Sequence, residues 1–184
     1  LYLWKFDLTP GDWAIAIFMA LATMMATTMG HHRLFAHRAF QAPFSVKLFN
    51  LFFGAASYEG SALNWASEHR DHHRFVDTEK DPYNINQGFW HAHMGWFLWE
   101  RPQQDYGNAK DLSSDPCILH QHKYWIYWAV TAGIVLPLVL GLAFGSFWGA
   151  FFLAVCARLF VVNHCVFFIN SAAHTFGKQT YDLK

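Results

Sequence analysis

The sequence has few charged residues, and this shortage narrows the class of protein. Only 14% of its 184 residues are charged, whereas 54% are hydrophobic and 19% aromatic. Soluble domains carry about a quarter of charged residues, so this chain has too little polar surface to cover a soluble globule. The composition therefore indicates a membrane protein. The formal net charge is zero, which gives no reason to expect a nucleic-acid partner.

Cysteine is also scarce, which argues against a disulfide framework and a cysteine-based metal site. The three cysteines, Cys117, Cys156 and Cys165, form no CxxC pair, so we expect free thiols. An initiator methionine and a signal peptide are missing as well, since the chain opens at Leu1 in mid-sequence. We expect residues 1–184 to form a single membrane domain that is a fragment of a longer protein.

Long uncharged apolar runs are abundant. Three of them are long enough to cross a bilayer as helices, at about residues 13–30, 125–145 and 146–169. The short Gly145-Ser146 junction predicts that the last two runs form an antiparallel hairpin. The predicted fold class is therefore all-α, a polytopic helical membrane protein.

The basic residues predict the orientation of these spans. Of the 13 lysines and arginines, only Lys5 precedes the first predicted span and only Arg158 lies within the third. The other eleven all fall on one side of the membrane, which the positive-inside rule makes cytoplasmic. We therefore expect a multi-pass integral membrane protein with a cytoplasmic helical cap, about residues 31–124 and 170–184.

Within this cap, two stretches are apolar but too short to span comfortably. Residues 43–58 and 88–99 therefore predict buried or interfacial helices, and the tryptophans of the second stretch suit the headgroup zone. Residues 102–116 are polar and rich in turn-forming residues, which predicts a surface loop.

Histidines occur in three groups at metal-ligand spacing, in the segments HRLFAH, HRDHH and NSAAH. The candidate ligands are His32, His37, His69, His72, His73, Asn170 and His174. Imidazole suits iron, zinc, copper and nickel. A lone histidine at a membrane edge is ordinarily just interfacial. Six of them on one side of the membrane predict a metal centre, because polar groups at membrane depth are costly and mark function.

Helical spacing divides these ligands between two metals. His69 is three and four residues from His72 and His73, so it shares a helix face with each of them. His72 and His73 themselves diverge by roughly 100°, so one helix can serve two metals side by side. His32 and His37 are five apart and do not align on a regular α-helix. We expect this group either to straddle the end of the first span or to contain a local distortion.

Three segments, HRLFAHR, HRDHHRFVDTEKDPYN and NSAAHTFGKQTYD, resemble the membrane fatty acyl desaturases of the stearoyl-CoA desaturase and bacterial Δ9-desaturase type, over nearly the whole chain. The resemblance implies an O2-dependent enzyme that introduces a cis double bond, at Δ9, into a long-chain saturated fatty acyl substrate. It also implies two Fe in a non-haem di-iron centre, surrounding membrane lipid, and electrons from cytochrome b5 or a ferredoxin-like donor. The family's ligands carry over to His32, His37, His69, His72, His73 and His174, with Asn170 reaching the metal through water.

The resemblance implies substrate contacts too. Trp65 matches an aromatic residue that shapes the bend of the acyl tunnel, Phe167 a position often held by tryptophan, and Glu59 one often held by glutamine. Carboxylates that follow the second histidine group are candidate partners of imidazole N–H groups, or else an ordinary solvated acidic surface. They are Asp71, Asp77 and Asp81.

The chain departs from the family pattern in three respects. The family's third histidine box, HNxHH, is absent, and the chain has one predicted span fewer than the family. We expect truncation to explain both differences. We also expect no activity from these 184 residues alone. Acyl-CoA members have Arg-Asp where this chain has Ser67-Glu68, and a basic pair where it has Glu100-Arg101. Because CoA phosphates need cations, these differences weaken the case for an acyl-CoA substrate, and acyl-lipid or acyl-ACP substrates stay open beside it.

Three other functions also stay open. A fatty acyl hydroxylase would use the same scaffold and differ only in the fate of the substrate. A non-catalytic haem protein would need histidines in two facing spans, whereas only His164 lies deep in a predicted span. A metal-storing or metal-transporting membrane protein would bind zinc or copper in place of iron.

Overall fold

The structure, a computed structural model, describes residues 7–98 and 105–177, and every regular element in that part of the chain is helical. Three helices are long and apolar enough to cross a membrane: Pro10–Ala36, Trp125–Phe144 and Phe147–Thr175. These findings confirm the all-α membrane fold that the composition and the apolar runs predict. In chain order the elements are α1 (Pro10–Met25), π1 (Ala26–Ala36), α2 (Phe44–Ala55), α3 (Ala62–Phe75), a 3-10 turn (Ile85–Gln87), π2 (His91–Gly95), α4 (Trp96–Leu98), α5 (Lys110–Ser113), α6 (Pro116–Lys123), α7 (Trp125–Val130), π3 (Thr131–Val135), α8 (Leu136–Phe144), α9 (Phe147–Gly149), π4 (Ala150–Ala157) and α10 (Arg158–Thr175).

The first span begins with a capping box and ends in a widened helix. Thr9 Oγ1 accepts a hydrogen bond from Asp12 N, and the Asp12 carboxylate accepts one from Thr9 N at 2.8 Å. These bonds satisfy N–H groups that the first helical turn leaves free, and Pro10 suits the first helical position. The sequence predicts that this span ends at about residue 30, but the helix does not stop there. It continues as π1 to Ala36, so His32 lies inside it and His37 is its C-cap residue.

The second and third spans form an antiparallel hairpin, as predicted, linked by Gly145 and Ser146. Ser146 caps α9 by accepting a hydrogen bond from Gly149 N, and its own N–H donates to Asp12 Oδ1 at 2.7 Å. Glycine is required at position 149 because a Cβ there would lie 2.3 Å from Asp12 Cγ. The buried Asp12 carboxylate thus fastens the hairpin loop to the start of the first span.

In the segment that connects the first and second spans, α2 and α3 pack against π1, the C-terminal part of the first span. The stretch predicted at 43–58 contains α2, which contacts π1 and α7. The stretch predicted at 88–99 contains π2 and α4; its last residue, Trp99, lies outside the described residues. A buried apolar cluster joins π1, α2, α3 and α6. Its members include Phe35, Leu51, Leu63, Trp65 and Ile118.

The prediction of a surface loop at residues 102–116 is only partly right. Residues 102–104 lie outside the described residues, and the remainder contains α5, whose Leu112 is buried in the apolar cluster. Lys47 Nζ lies 2.6 Å from Asp115 Oδ2, and Asp115 also caps α6 by accepting a hydrogen bond from Cys117 N. This segment is therefore held by side chains from distant helices, which local composition does not reveal.

Candidate metal centre

The widened helix π1 brings the first histidine group into line. His37 N donates a hydrogen bond to His32 O, five residues earlier, at 2.9 Å. In a π-helix each turn closes on the fifth residue, so side chains five apart lie one above the other. The His32 and His37 rings accordingly meet edge to face with their centroids 4.5 Å apart. The structure thus contains the local distortion that was one of the two predicted alternatives, and the helix ends at His37 instead of after Gly30.

Helix α3 delivers two further imidazoles to the same place. The helix starts at Ser61, whose hydroxyl accepts a hydrogen bond from Asn64 N at 3.1 Å. In the last two turns of α3, His69 Nε2 lies 3.1 Å from His37 Nε2 and 3.0 Å from His73 Nε2.

Together these side chains form a four-histidine cluster. Its members are His32, His37, His69 and His73, and their ligand atoms all lie within 4.8 Å of one another. Ligands bonded at right angles to one metal at about 2.1 Å would have nitrogens about 3 Å apart, which matches the His37–His69 and His69–His73 separations. The donor set therefore fits one imidazole-bound metal ion.

Two rings of the cluster, His69 and His73, favour the neutral imidazole, which is the form that binds metal. Burial, and after it the neighbouring imidazoles beginning with His73, lower the pKa of His69 to about 2. Burial and then His37 also lower the pKa of His73. These rings therefore carry no proton to be displaced when a metal binds near neutral pH.

His72 and His174 form a second group beside this cluster, with ring centroids 5.3 Å apart. His72 Nδ1 lies 2.8 Å from Asp81 Oδ1, and His174 Nδ1 lies 3.2 Å from Asp77 Oδ1. A carboxylate on Nδ1 fixes the ring and its tautomer and leaves Nε2 to bind a metal. Among the described residues this second position therefore has two imidazoles.

The three predicted carboxylates occupy different environments. Burial alone would raise the pKa of Asp81, but hydrogen bonds from His72 and from the backbone N–H groups of Tyr83 and Asp77 hold it below its usual range. Asp81 is thus a charged acceptor at the centre of the turn after α3. Asp71 does not pair with an imidazole; its Oδ1 accepts a hydrogen bond from Asn108 Nδ2 at 2.8 Å. Asp71 therefore does not take the role of imidazole partner that was one of its two predicted alternatives.

An apolar cavity adjoins the four-histidine cluster. Its walls are Thr27, Thr28, His32, Trp65, His69, Tyr83, Trp96, Val166, Ile169 and Asn170. Trp65 and Asn170, both predicted site residues, thus face the same space as two candidate ligands. Phe167 is not in the lining and packs instead on Trp96, with ring centroids 5.8 Å apart.

Trp65 is held on two sides. Its ring stacks on His69, with centroids 4.7 Å apart and planes at 22°. Its indole Nε1 donates a hydrogen bond to Glu59 Oε2 at 2.8 Å, and the Glu59 side chain is fully buried. The two predicted substrate residues Glu59 and Trp65 therefore form one unit, in which Trp65 lines the cavity and Glu59 supports it.

Arg70 is a site residue that the sequence reasoning missed. Its guanidinium donates to Phe35 O at 2.7 Å and Ala36 O at 2.9 Å, the two carbonyls just before His37. Asp111 holds the same guanidinium through both carboxylate oxygens, at 2.7 and 2.9 Å. The hydrogen bond from Arg70 lowers the pKa of Asp111. The only signal in the sequence for this role was that Arg70 is a basic residue next to His69. Nothing in the sequence pointed to Asp111 as its partner.

We expect Asp111→Asn to weaken metal retention by the four-histidine cluster. The neutral amide can keep only one of the two bonds to Arg70, so the end of π1 that carries His37 becomes less fixed. Loss of such outer contacts typically costs about 10–100-fold in metal affinity. Metal content after a chelator challenge would measure the effect. Asp105→Asn is the matched control, because among the described residues Asp105 is hydrogen-bonded only to the backbone of its own loop, at Gly107 N. Equal losses in both variants would contradict the assignment.

Two further histidines form a separate pair. His93 Nε2 lies 2.9 Å from His164 Nδ1, and His93 Nδ1 lies 2.9 Å from Ser171 Oγ, which donates in turn to Phe167 O. All three hydrogen bonds in this series are satisfied if His164 donates to His93 and His93 donates to Ser171. The pair therefore has a hydrogen-bonding role that requires no metal.

Comparison with known proteins gives a consistent result. The family model for fatty acid desaturases matches residues 11–183. The chain is 40% identical over 161 residues to a probable acyl-CoA desaturase of Schizosaccharomyces pombe, covering 86% of this chain and 34% of that protein. It is 39% identical over 162 residues to acyl-CoA desaturase 1 of Saccharomyces cerevisiae, covering 86% and 32%. It is 37% identical over 160 residues to the sn-1 stearoyl-lipid 9-desaturase of Anabaena variabilis, covering 86% and 57%. The chain thus spans about a third to somewhat more than half of these relatives.

Proposed function

Because the chain belongs to the fatty acid desaturase family, we propose that the protein introduces a cis double bond into a long-chain saturated fatty acyl substrate with O2. The observation that carries this proposal is the contact between the four-histidine cluster and an apolar cavity, which share His32 and His69. An apolar cavity suits an alkyl chain, and a cluster of imidazoles suits a redox-active metal. We propose the Δ9 position because the resemblance implies it and relatives of that type match.

The overall reaction needs four electrons to reduce O2 to two waters. The acyl chain supplies two electrons and two protons when a C–H bond breaks on each of two adjacent carbons. The other two electrons come from a one-electron donor of the cytochrome b5 or ferredoxin class, and two further protons come from solvent. The donor is part of the proposal.

We propose that two Fe ions bind in these histidine groups. His32, His37, His69 and His73 would hold one of them, and His72, His174 and Asn170, the last through water, would contribute to the other. The carboxylates of Asp77 and Asp81 support the second position through His174 and His72. When bound, such a pair of irons supplies the oxidising power needed to break an unactivated C–H bond.

The protein's own residues would place the acyl chain. The cavity walls Trp65, Tyr83 and Trp96 are largely buried and apolar, so they exclude water from the reacting carbons. Trp65 cannot turn freely, since it is stacked on His69 and hydrogen-bonded to Glu59. A fixed wall next to the metal centre limits which carbons can approach it.

We propose that the metal centre faces the cytoplasm. The support is the distribution of lysine and arginine: ten of 13 fall on one side of the three spans, and Arg33 lies in the last turn of the first span at that side. That side is cytoplasmic by the positive-inside rule. The histidine groups occupy the same side, in π1, in α3 and at the end of α10.

The acyl carrier is left to experiment. Ser67 Oγ donates to Asn108 Oδ1 at 2.7 Å, and Glu68 is buried, so neither side chain offers a cation to a CoA phosphate. Glu100 and Arg101, the other pair singled out in the sequence, lie outside the described residues. The relatives' names include both acyl-CoA and stearoyl-lipid desaturases.

The haem alternative has no support in the histidine geometry. Two axial imidazoles lie on opposite sides of one iron, so at a metal–nitrogen bond of about 2 Å their nitrogens would be about 4 Å apart. His93 Nε2 and His164 Nδ1 are 2.9 Å apart and already hydrogen-bonded. The first span also contains a buried histidine, His31, but it packs against Phe35 and Trp65.

The proposal is tested by expressing the protein from its complete reading frame in cells and analysing their fatty acids. Double bonds would be located by mass spectrometry, and purified protein would be assayed with acyl-CoA, acyl-ACP and acyl-lipid. A new cis-monounsaturated acid that disappears in His72→Ala is the expected result. Hydroxylated acids would favour the hydroxylase. An unchanged lipid profile, with zinc or copper in the purified protein, would favour metal storage or transport.

We expect Trp65→Ala to change which product forms more than how stably the protein folds. Removing the indole enlarges the cavity beside His69 and frees the acyl chain to shift by one or more carbons. The ratio of double-bond positions and the preferred chain length are the quantities to measure. Phe167→Ala is a useful comparison, since Phe167 is a similarly buried aromatic outside the cavity lining. An unchanged product ratio in Trp65→Ala would contradict the role of this residue.

A further inference from the structure

Arg158 is a buried cation within the third span, with only 2% of its surface exposed. Its guanidinium donates to four groups on different elements. The acceptors are Ala154 O at 2.7 Å, Thr23 Oγ1 at 3.1 Å, Ala56 O at 2.7 Å and Gly133 O at 3.1 Å. One side chain therefore joins all three spans to the residue that follows α2. A charge at membrane depth is costly and is retained where it has a task.

The guanidinium lies where the widened parts of the spans meet the turn between α2 and α3. Gly133 belongs to π3 and Ala154 to π4, and such widened turns are frequent at functional sites. The turn packs directly on π3, because a Cβ at Gly133 would lie only 2.7 Å from Tyr58 Cε2. Ala56 is the first residue of this turn, so its carbonyl is the point where the membrane spans hold it.

This turn has an unusual backbone and ends at the site. Tyr58 has φ of 63°, a left-handed conformation that a bulky residue adopts only when its surroundings impose it. Ser57 Oγ donates to Gly54 O at 2.9 Å and accepts from Glu59 N at 3.3 Å. Glu59 in turn accepts the hydrogen bond of Trp65. A continuous set of contacts thus runs from Arg158 to the wall of the acyl cavity.

We propose that Arg158 is a positioning residue for the acyl cavity: by holding Ala56 O, it fixes the α2–α3 turn and, through Glu59 and Trp65, the wall beside His69. This proposal rests on the proposed desaturase function. Arg158 would then influence which carbons react, although it touches neither the substrate cavity nor a candidate ligand.

The test is Arg158→Lys in the full-length protein. A lysine ammonium is a point charge and cannot bond Ala56, Thr23 and Gly133 with the fork of a guanidinium. We expect amide hydrogen exchange over residues 54–61 to become about tenfold faster, as for loss of a hydrogen bond to a charged group. We expect the ratio of double-bond positions to shift by about threefold or more, since small displacements of a reacting chain have large effects on rate.

Thr23→Val is the matched control. It removes one acceptor of the same guanidinium and leaves the bond to Ala56 O, so we expect neither measurement to change. Ser57→Ala breaks the same set of contacts without altering the buried charge. It should shift the ratio in the same direction and serves if Arg158→Lys does not fold.

Two outcomes separate the proposal from its alternatives. In the first outcome, Arg158→Lys or Ser57→Ala gives less product, but the product ratio and the hydrogen exchange of residues 54–61 equal those of Thr23→Val. Arg158 is then only a structural cation, and the proposal is overturned. If the wild-type protein makes no unsaturated product, the desaturase function fails, while faster exchange of residues 54–61 in Arg158→Lys still supports the positioning of the turn.

Discussion

Replacing His69 by alanine should remove most of the metal from the four-histidine cluster and abolish formation of the unsaturated product. His69 is the centre of the cluster, since its Nε2 lies within 3.1 Å of both His37 Nε2 and His73 Nε2. Its ring also supports Trp65 by stacking. Loss of an outer-shell partner costs about 10–100-fold in metal affinity or activity, so loss of this central ligand should exceed that range.

The measurement is the metal content of purified full-length protein, together with product formation in cells. We expect less than about a tenth of the wild-type metal in the cluster, in line with a loss beyond the outer-shell range. His120→Ala is the matched control. His120 is exposed on α6 and packs against Tyr124 and Trp128, with ring centroids 4.9 and 5.9 Å away. A His69→Ala protein with full metal content and activity would show that the cluster is not the metal centre.

The spans and the identity of the histidine groups could be predicted because they depend on local sequence. Uncharged runs of about 20 residues identify the spans without knowledge of their neighbours. The spacing of His69, His72 and His73 fixes their directions on any α-helix. For His32 and His37 the same rule shows that a regular helix cannot align them, which is why a distortion was among the predictions. The extent of π1 could not be predicted, since packing of α2 and α3 against it also determines the helix type.

The partners of the site could not be predicted because they come from distant parts of the chain. Asp111 reaches Arg70 across 41 residues, and the contact depends on how the connecting segment folds back. Arg158 was recognised as a cation that needs protein neighbours, yet its acceptors are mainly backbone carbonyls, which carry no signal in sequence. Asp71 was misplaced for a related reason. It is adjacent to ligands in sequence, but it pairs with Asn108 instead of an imidazole.

Asp81→Asn should weaken the second metal position by about 10–100-fold, the usual effect of removing an outer-shell carboxylate. The Asp81 carboxylate is fully buried and uses both oxygens. Oδ1 faces His72 Nδ1 at 2.8 Å and Tyr83 N at 2.9 Å, and Oδ2 accepts from Asp77 N at 2.8 Å. An asparagine amide has one acceptor oxygen and one NH2 group, which only donates, so this NH2 group would face either the N–H of Asp77 or the N–H of His72. The variant would also lack the negative charge that makes the His72 ring a stronger ligand.

A titration of purified protein with iron in competition with a chelator would measure this effect at the second position separately from the first. Asp71→Asn removes the same kind of charge from α3, the helix before that turn, but its partner is Asn108, so the affinity of both positions should stay near the wild-type value. Thermal unfolding without metal would reveal any general loss of stability in Asp81→Asn. Equal iron affinities in Asp81→Asn and Asp71→Asn would mean that Asp81 only shapes the turn after α3. A selective loss in Asp81→Asn would instead tie that turn to His72, the ligand that the carboxylate holds.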